Sequence, residues 1–173
     1  RGEIGELIVR GPTVTTEYVT RTDANAMAKI ADPTGFWHRM GDAGYLDEQD
    51  RFWYCGRVSH RVVLENRTLY TEQVEAIFNT HPYVRRSALV GVEKFGSFHP
   101  FVVIEPQQKI RGWLGAECLP PEDQLKQLTS ELYALAKTHQ ITKHVSGMYL
   151  FHPNLPTDVR HNAKINREQL SIW

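Results

Sequence analysis

The sequence predicts an α+β fold. Short apolar or aromatic runs bounded by glycine read as strands, helical periodicity appears in segments interspersed among them, and the early strands are placed to pair as hairpins. A chain of 173 residues buries a respectable core, and one domain, or one small domain plus part of another, is expected.

In chain order, residues 3–10 and 51–56 carry the glycine-bounded strand signature. Between them 22–30 reads as a short helix with Asp23 near its start, and Pro33-Thr34-Gly35 closes the segment as a turn. Residues 61–65 and 68–70 flank Asn66-Arg67, as in a hairpin without the Asn-Gly signal. Thr71 is placed to cap a helix over 71–80, with Val74, Ile77 and Phe78 on one face, and His81-Pro82 ends it. Residues 86–92 and 101–105 are strands rich in apolar and β-branched side chains, with Gly96 and Pro100 marking the loop between them. From Pro121 onward a helix starts with proline in its first turn, Glu122 and Asp123 at the positive end of its dipole, and Leu125, Leu128, Leu132 and Leu135 as its buried stripe. Residues 148–151 form a last strand, 153–162 a loop and 164–170 a terminal helical turn. No internal repeat or low-complexity segment is present.

Charge excludes several functions. Twenty basic and twenty acidic residues cancel and form no basic stripe, so neither nucleic acid nor an acidic membrane surface is an expected partner. The longest apolar runs, such as 101–104, are too short to cross a bilayer. Cys55 and Cys118 have no metal-ligand spacing and make no disulfide framework, and no charged-then-apolar leader is seen; a cytoplasmic protein is expected. The opening Arg1-Gly2-Glu3-Ile4-Gly5-Glu6-Leu7 starts directly in strand-like sequence without a methionine, and a piece of a longer protein is expected. The histidines show no HxxxH or HxH spacing, so no metal site is expected. There is no P-loop, no GxGxxG and no GxSxG.

Two places carry candidate chemistry. Asp42, between Gly41 and Gly44, reads as an aspartate on a glycine-flanked turn. There it either accepts hydrogen bonds from two vicinal hydroxyls, as a ribose presents, or satisfies its own backbone. Arg57, after Gly56 at the end of an aromatic strand, either forks onto nucleotide oxygens or makes a surface ion pair. Lys164, in a polar loop, is either a solvated surface lysine or a mobile point charge able to bridge a carboxylate and a phosphate.

The wording around these residues resembles a known family. Trp37-His38-Arg39 followed by Met40-Gly41-Asp42-Ala43-Gly44-Tyr45-Leu46-Asp47 resembles the ribose-binding motif of the adenylate-forming (AMP-dependent) synthetases and ligases. Pro156-Thr157-Asp158-Val159-Arg160-His161-Asn162-Ala163-Lys164-Ile165-Asn166-Arg167 resembles the same family's final motif, in the right order and about a hundred residues downstream. The resemblance implies that Asp42 and Arg57 bind the nucleotide and that Lys164 is the catalytic lysine. Ser59 takes a hinge position where an acidic residue or lysine is more usual. It also implies that 1–56 is the C-terminal β subdomain of a large AMP-binding domain and 57–173 a lid domain, a short sheet flanked by helices. Arg160, His161, Asn162 and Arg167 are read as loop-orienting or surface residues first and ligands second.

Within the family, Ala24-Asn25-Ala26-Met27-Ala28-Lys29-Ile30, Tyr54-Cys55-Gly56-Arg57-Val58-Ser59-His60-Arg61-Val62, Asn79-Thr80-His81-Pro82 and Arg86-Ser87-Ala88-Leu89-Val90-Gly91-Val92 resemble the β-lactone synthetases of bacterial long-chain olefin biosynthesis. The likeness covers nearly the whole chain, with 109–120 the least similar. It implies ATP, with Mg²⁺ arriving on the nucleotide, and a 2-alkyl-3-hydroxy fatty acid as substrates. It also implies association with the rest of the N-terminal domain and with other olefin-pathway enzymes. Asn66, where many relatives have a glycine in a loop that approaches coenzyme A, implies that coenzyme A is not required. The family's phosphate loop and acyl pocket lie upstream, so 1–173 alone is expected not to adenylate. A long-chain fatty-acid–CoA ligase and a non-catalytic interaction domain are the alternatives.

Overall fold

The computed structural model describes residues 1–20, 22–94, 96–108, 110–111, 117–145, 149–158 and 164–172. The chain divides into two compact units, Arg1–Ser59 and His60–Trp173, and the elements are mixed α and β as the sequence predicts.

The first unit is a four-stranded sheet built on one long strand. β1 (Gly5–Val9), α1 (Thr22–Ala28) and β2 (Lys29–Asp32) lead into the twelve-residue β3 (Gly35–Leu46), followed by β4 (Phe52–Arg57). β3 pairs antiparallel with β2 at its start, with β4 at its end and with β1 across its middle. The expected helix over 22–30 stops at Ala28, and the chain turns at once into β2. Pro33 and Thr34 make the turn: the Thr34 amide and hydroxyl donate to Asp32 Oδ1 at 3.1 and 2.7 Å, the Asx geometry that favours reversal. β3 itself is missed by the sequence reading, because His38, Arg39, Gly41 and Gly44 interrupt its apolar alternation.

The second unit is a sheet packed on both faces. β5 (Val62–Leu64) and β6 (Arg67–Leu69) form the expected hairpin, and α2 (Thr71–Phe78) follows. Thr71 is not the cap: it is the first helical residue and buried, while Tyr70 stands at the cap without a side-chain bond. β7 (Val84–Lys94) and β8 (Ser97–Pro106) form a long hairpin. Pro100, expected in the loop, lies within β8 opposite Gly91. β11 reaches only Val102, so the missing Pro100 N–H costs no bond to it. Two-residue strands β9 (Ile110–Arg111) and β10 (Glu117–Cys118) pair antiparallel before α3 (Glu122–Lys137). β11 (Tyr149–Phe151) joins β8 in parallel, and α4 (Arg167–Ser171) completes the unit.

Alternation along β7 and β8 divides the core. Leu89, Val102 and Ile104 face a cluster with Val74 and Phe78 of α2 and Leu128 and Leu132 of α3. Ala88, Val90 and Val103 face the other way, onto Leu155 and Leu170 with Ile165 packed alongside. Opposite residues share a face in an antiparallel pair, and Leu89↔Val102 and Ala88↔Val103 obey that rule. None of the described helices is long and apolar enough to cross a membrane.

Candidate functional site

In the first unit the site grows from two glycines. Gly41 has φ of +71°, and a Cβ there would lie 3.1 Å from Arg57 Nη2. A Cβ at Gly44 would lie 2.3 Å from the Trp53 carbonyl oxygen, closer than any side chain tolerates. The pair therefore brings β4 close against β3, at a register shift between Ala43 and Gly44. Asp42 thus sits within a strand, not on the turn expected of it, and faces Arg57 across the ladder.

Arg57 Nη1 donates to Asp42 Oδ1 at 2.7 Å and to the Met40 carbonyl at 3.0 Å. Among the described residues Asp42 Oδ2 takes no partner, and 23% of the aspartate side chain and 49% of the arginine side chain are open to solvent. The carboxylate is held in place by one oxygen while the other is left to accept hydroxyl hydrogens. Arg57 keeps Nε and Nη2 as donors. Both features fit a ribose diol.

Below this pair the β3–β4 turn is organised by Asp47, whose role the sequence reading did not single out. Its carboxylate accepts the Gln49 and Arg51 amides at 2.9 Å each, Arg51 Nε at 2.7 Å and Trp53 Nε1 at 2.8 Å. These donors, the Trp53 indole foremost, hold its pKa down at about 2. They also let Asp50 take the positive φ of 58° that closes the turn. Ser59 is exposed in a single 3-10 turn, Val58–His60, where the first unit ends and the second begins.

In the second unit Lys164 is exposed, and among the described residues its ammonium has no partner. Backbone pairing fixes the base of its loop. Thr157 bridges Ile165, the Asp158 amide donates to the Lys164 carbonyl at 2.8 Å, and the Asn166 amide donates to the Pro156 carbonyl at 2.8 Å. Asn166 then caps α4 by accepting the Gln169 amide at 3.0 Å. Arg160, His161 and Asn162 lie outside the described residues. Arg167 is no surface residue: its side chain is 14% exposed and donates Nη2 to both Glu75 oxygens at 2.8 Å.

Two buried carboxylates escaped the sequence reading. Glu75 accepts the Leu89 amide at 2.8 Å besides Arg167. Its pKa is raised by burial, against the smaller downward pull of Arg167 and the Leu89 amide. Glu105, with no exposed surface, is gripped by Arg85 at 2.9 Å and Arg86 at 2.7 Å and accepts the Leu155 amide at 3.1 Å. Glu75 could have been found, because Thr71, Val74, Glu75 and Phe78 trace one buried helical stripe that includes it.

Asn66, at the exposed tip of the β5–β6 hairpin, takes an ordinary negative φ, since Asp50 is the one described non-glycine with a positive φ. Among the described residues no group of three His, Cys, Asp or Glu side chains could hold a metal.

No family model matches the chain. It is 43% identical, over an alignment of 177 positions that covers 99% of this chain, to the olefin β-lactone synthetase of Xanthomonas campestris pv. campestris, and spans 30% of that relative. Its fold superposes on an amide bond synthetase from Marinactinospora thermotolerans with a TM-score of 0.75 and 25% identity, over all of this chain and 32% of that one. The o-succinylbenzoate CoA synthetase of Bacillus subtilis, solved with its acyl-adenylate intermediate, matches with a TM-score of 0.75 and 24% identity over 98% of this chain and 30% of that one. The same enzyme has been solved with ATP and magnesium ion; that structure matches at 0.70 and 23%, over 98% and 30%.

Proposed function

Because the chain belongs to the adenylate-forming family, we propose that it is the C-terminal portion of an ATP-dependent carboxylate-adenylating enzyme, a β-lactone synthetase acting on a 2-alkyl-3-hydroxy fatty acid. On this reading residues 1–56 end the large AMP-binding domain and 57–173 are its lid, with Ser59 as the hinge between them.

Each site residue then has a distinct task. Asp42 accepts the ribose hydroxyls of ATP through the oxygen that Arg57 leaves open, and Arg57 both orients that carboxylate and offers its remaining donors to the nucleotide. Lys164 sits between the substrate carboxylate and the α-phosphate and neutralises the charge that develops as carboxylate oxygen attacks phosphorus. Pyrophosphate leaves, carried with Mg²⁺. The 3-hydroxyl of the same molecule then attacks the activated carbonyl and expels AMP. Intramolecular attack needs no second acceptor, so coenzyme A is not required.

The observation that carries this reading is Lys164: an exposed ammonium, unpartnered among the described residues, on a loop whose base is pinned. The test is to incubate the full-length parent enzyme with ATP, Mg²⁺ and a racemic 2-alkyl-3-hydroxy acid, with and without coenzyme A, reading products by proton NMR. A β-lactone formed without coenzyme A and absent in Lys164→Ala is the expected result. A thioester that appears only with coenzyme A would move the protein to the acyl-CoA ligases. Residues 1–173 alone are expected to be inactive.

A further inference from the structure

Burying a carboxylate costs desolvation that its ion pair only partly offsets, and apolar replacements of buried pairs are often as stable or more so. The second unit nevertheless buries two. Burial raises the Glu75 carboxyl above the usual range, so keeping it ionised at neutral pH opposes stability rather than adding to it. The Glu75–Arg167 pair is also poorly made for stability. One nitrogen, Nη2, serves both carboxylate oxygens, and Arg167 Nε is buried with no acceptor among the described residues. A role other than holding the core together accounts better for this pair.

Where the bonds go identifies that role. Glu105, on the central strand β8, accepts the amide of Leu155, the residue before the loop stem at Pro156. Glu75, on α2 and itself oriented by the β7 amide of Leu89, holds Arg167, three residues beyond Lys164. The segment carrying the lysine is therefore tied at its entry and at its exit to two rigid elements. Both ties are charge-assisted bonds, shorter and more directional than neutral ones.

We infer that Glu75 and Glu105 are positioning residues for Lys164, each fixing one stem of the loop that presents it. The inference rests on the adenylation reading above. Neither glutamate touches substrate; both act through the lysine, whose ammonium must reach a phosphoryl group within a fraction of an ångström.

The test uses the full-length parent enzyme and ATP–pyrophosphate exchange with the hydroxy acid. Glu75→Gln and Glu105→Gln are made singly, each also in the Lys164→Ala background. Leu132→Ala, buried in the same unit but in the apolar cluster on the other face of the sheet from Leu155 and Leu170, serves as a destabilised control. Each Gln variant is expected to lower kcat roughly 10- to 100-fold with KM for ATP unchanged, the scale of a small misplacement of a reacting group. In the Lys164→Ala background the same changes should cost nothing further. Leu132→Ala should lower Tm yet keep kcat at temperatures where the enzyme is folded. If Glu75→Gln does not fold, Arg167→Lys, which keeps the charge but not the planar fork, takes its place, and Arg86→Lys does the same for Glu105→Gln. Equal losses with and without Lys164, or a fall in Tm with kcat intact, would overturn the inference while leaving the adenylation reading standing. Exchange that does not depend on Lys164 at all would overturn both.

Discussion

The two units are held together by different physics. In Arg1–Ser59 the buried apolar side chains are Ala43 and Cys55, while Leu46, Phe52, Trp53 and Tyr54 stand open. Its order comes from polar contacts: the Asp47 cluster, Arg39 on Glu6, Arg10 on Asp32 and Thr34, and Asp42 on Arg57. In His60–Trp173 two apolar clusters sandwich the β7–β8 sheet, and burial there opposes ionisation of Glu75. A sheet with one long strand and little core is specified by hydrogen bonds; a sheet covered on both faces is specified by packing, and can spend some stability on charge placement.

The sharpest way to break this contrast is to separate the units. Residues 60–173 should unfold in one cooperative urea transition followed by circular dichroism, whereas 1–59 should show none. A cooperative transition in 1–59 would mean that polar contacts suffice. Next in size, Leu132→Ala in residues 60–173 should cost about 2–5 kcal/mol by leaving a cavity. Leu46→Ala, on the open side of β3, should change the stability of the 173-residue chain by no more than about 0.5 kcal/mol. Denaturant midpoints measure both, and comparable losses would erase the distinction. Gly44→Ala should destabilise the β3–β4 pair by about 1–3 kcal/mol, since the new methyl meets the Trp53 carbonyl and the Phe52 ring. Hydrogen exchange at the Tyr45 and Trp53 amides would report it, and unchanged protection would show that the strands can part freely.

The smallest effect has opposite signs in the two units. Asp47 is held at about 2, below its ordinary 3.8, so its contribution is complete above pH 3.8 and is lost as pH falls towards 2. Glu75 is pushed above its ordinary 4.5. Its contribution therefore becomes less favourable as pH rises from 4.5 through the folded value, and is restored on acidification. The Trp53 indole N–H and the Leu89 amide each donate to one of these carboxylates. Their NMR shifts should titrate near pH 2 and above 4.5, respectively. Two midpoints on the same side of the ordinary carboxylate range would undo the assignment.

Legibility in the sequence follows the same division. β7, β8 and α3 were readable because burial writes itself into composition and periodicity: apolar and β-branched runs in 86–92 and 101–105, and leucines at helical spacing from Leu125 to Leu135. β3 was not, because His38, Arg39 and the glycines interrupt its alternation, and glycine at 41 and 44, which admits the close approach of β4, looks like a turn when its neighbour is out of view. Asp42, Arg57 and Lys164 were named from family wording. The sequence carried no hint that Asp42 and Arg57 would meet each other at 2.7 Å. The helical stripe could place Glu75 on a buried face, but nothing local announces the partners of Glu75 and Glu105, 92 and 50 residues away.

That 92-residue separation has a consequence in time. A ribosome adding roughly 5–20 residues per second needs about 5–20 s to pass from Glu75 to Arg167. The β7–β8 hairpin and α2 lie early in that interval, so a nascent chain closes over Glu75 before its cation exists. Until then the carboxylate must stay hydrated or protonated. The α4 turn is therefore what dries the interior, and a product truncated just before Arg167 should expose α2 to proteases while retaining most of its sheet.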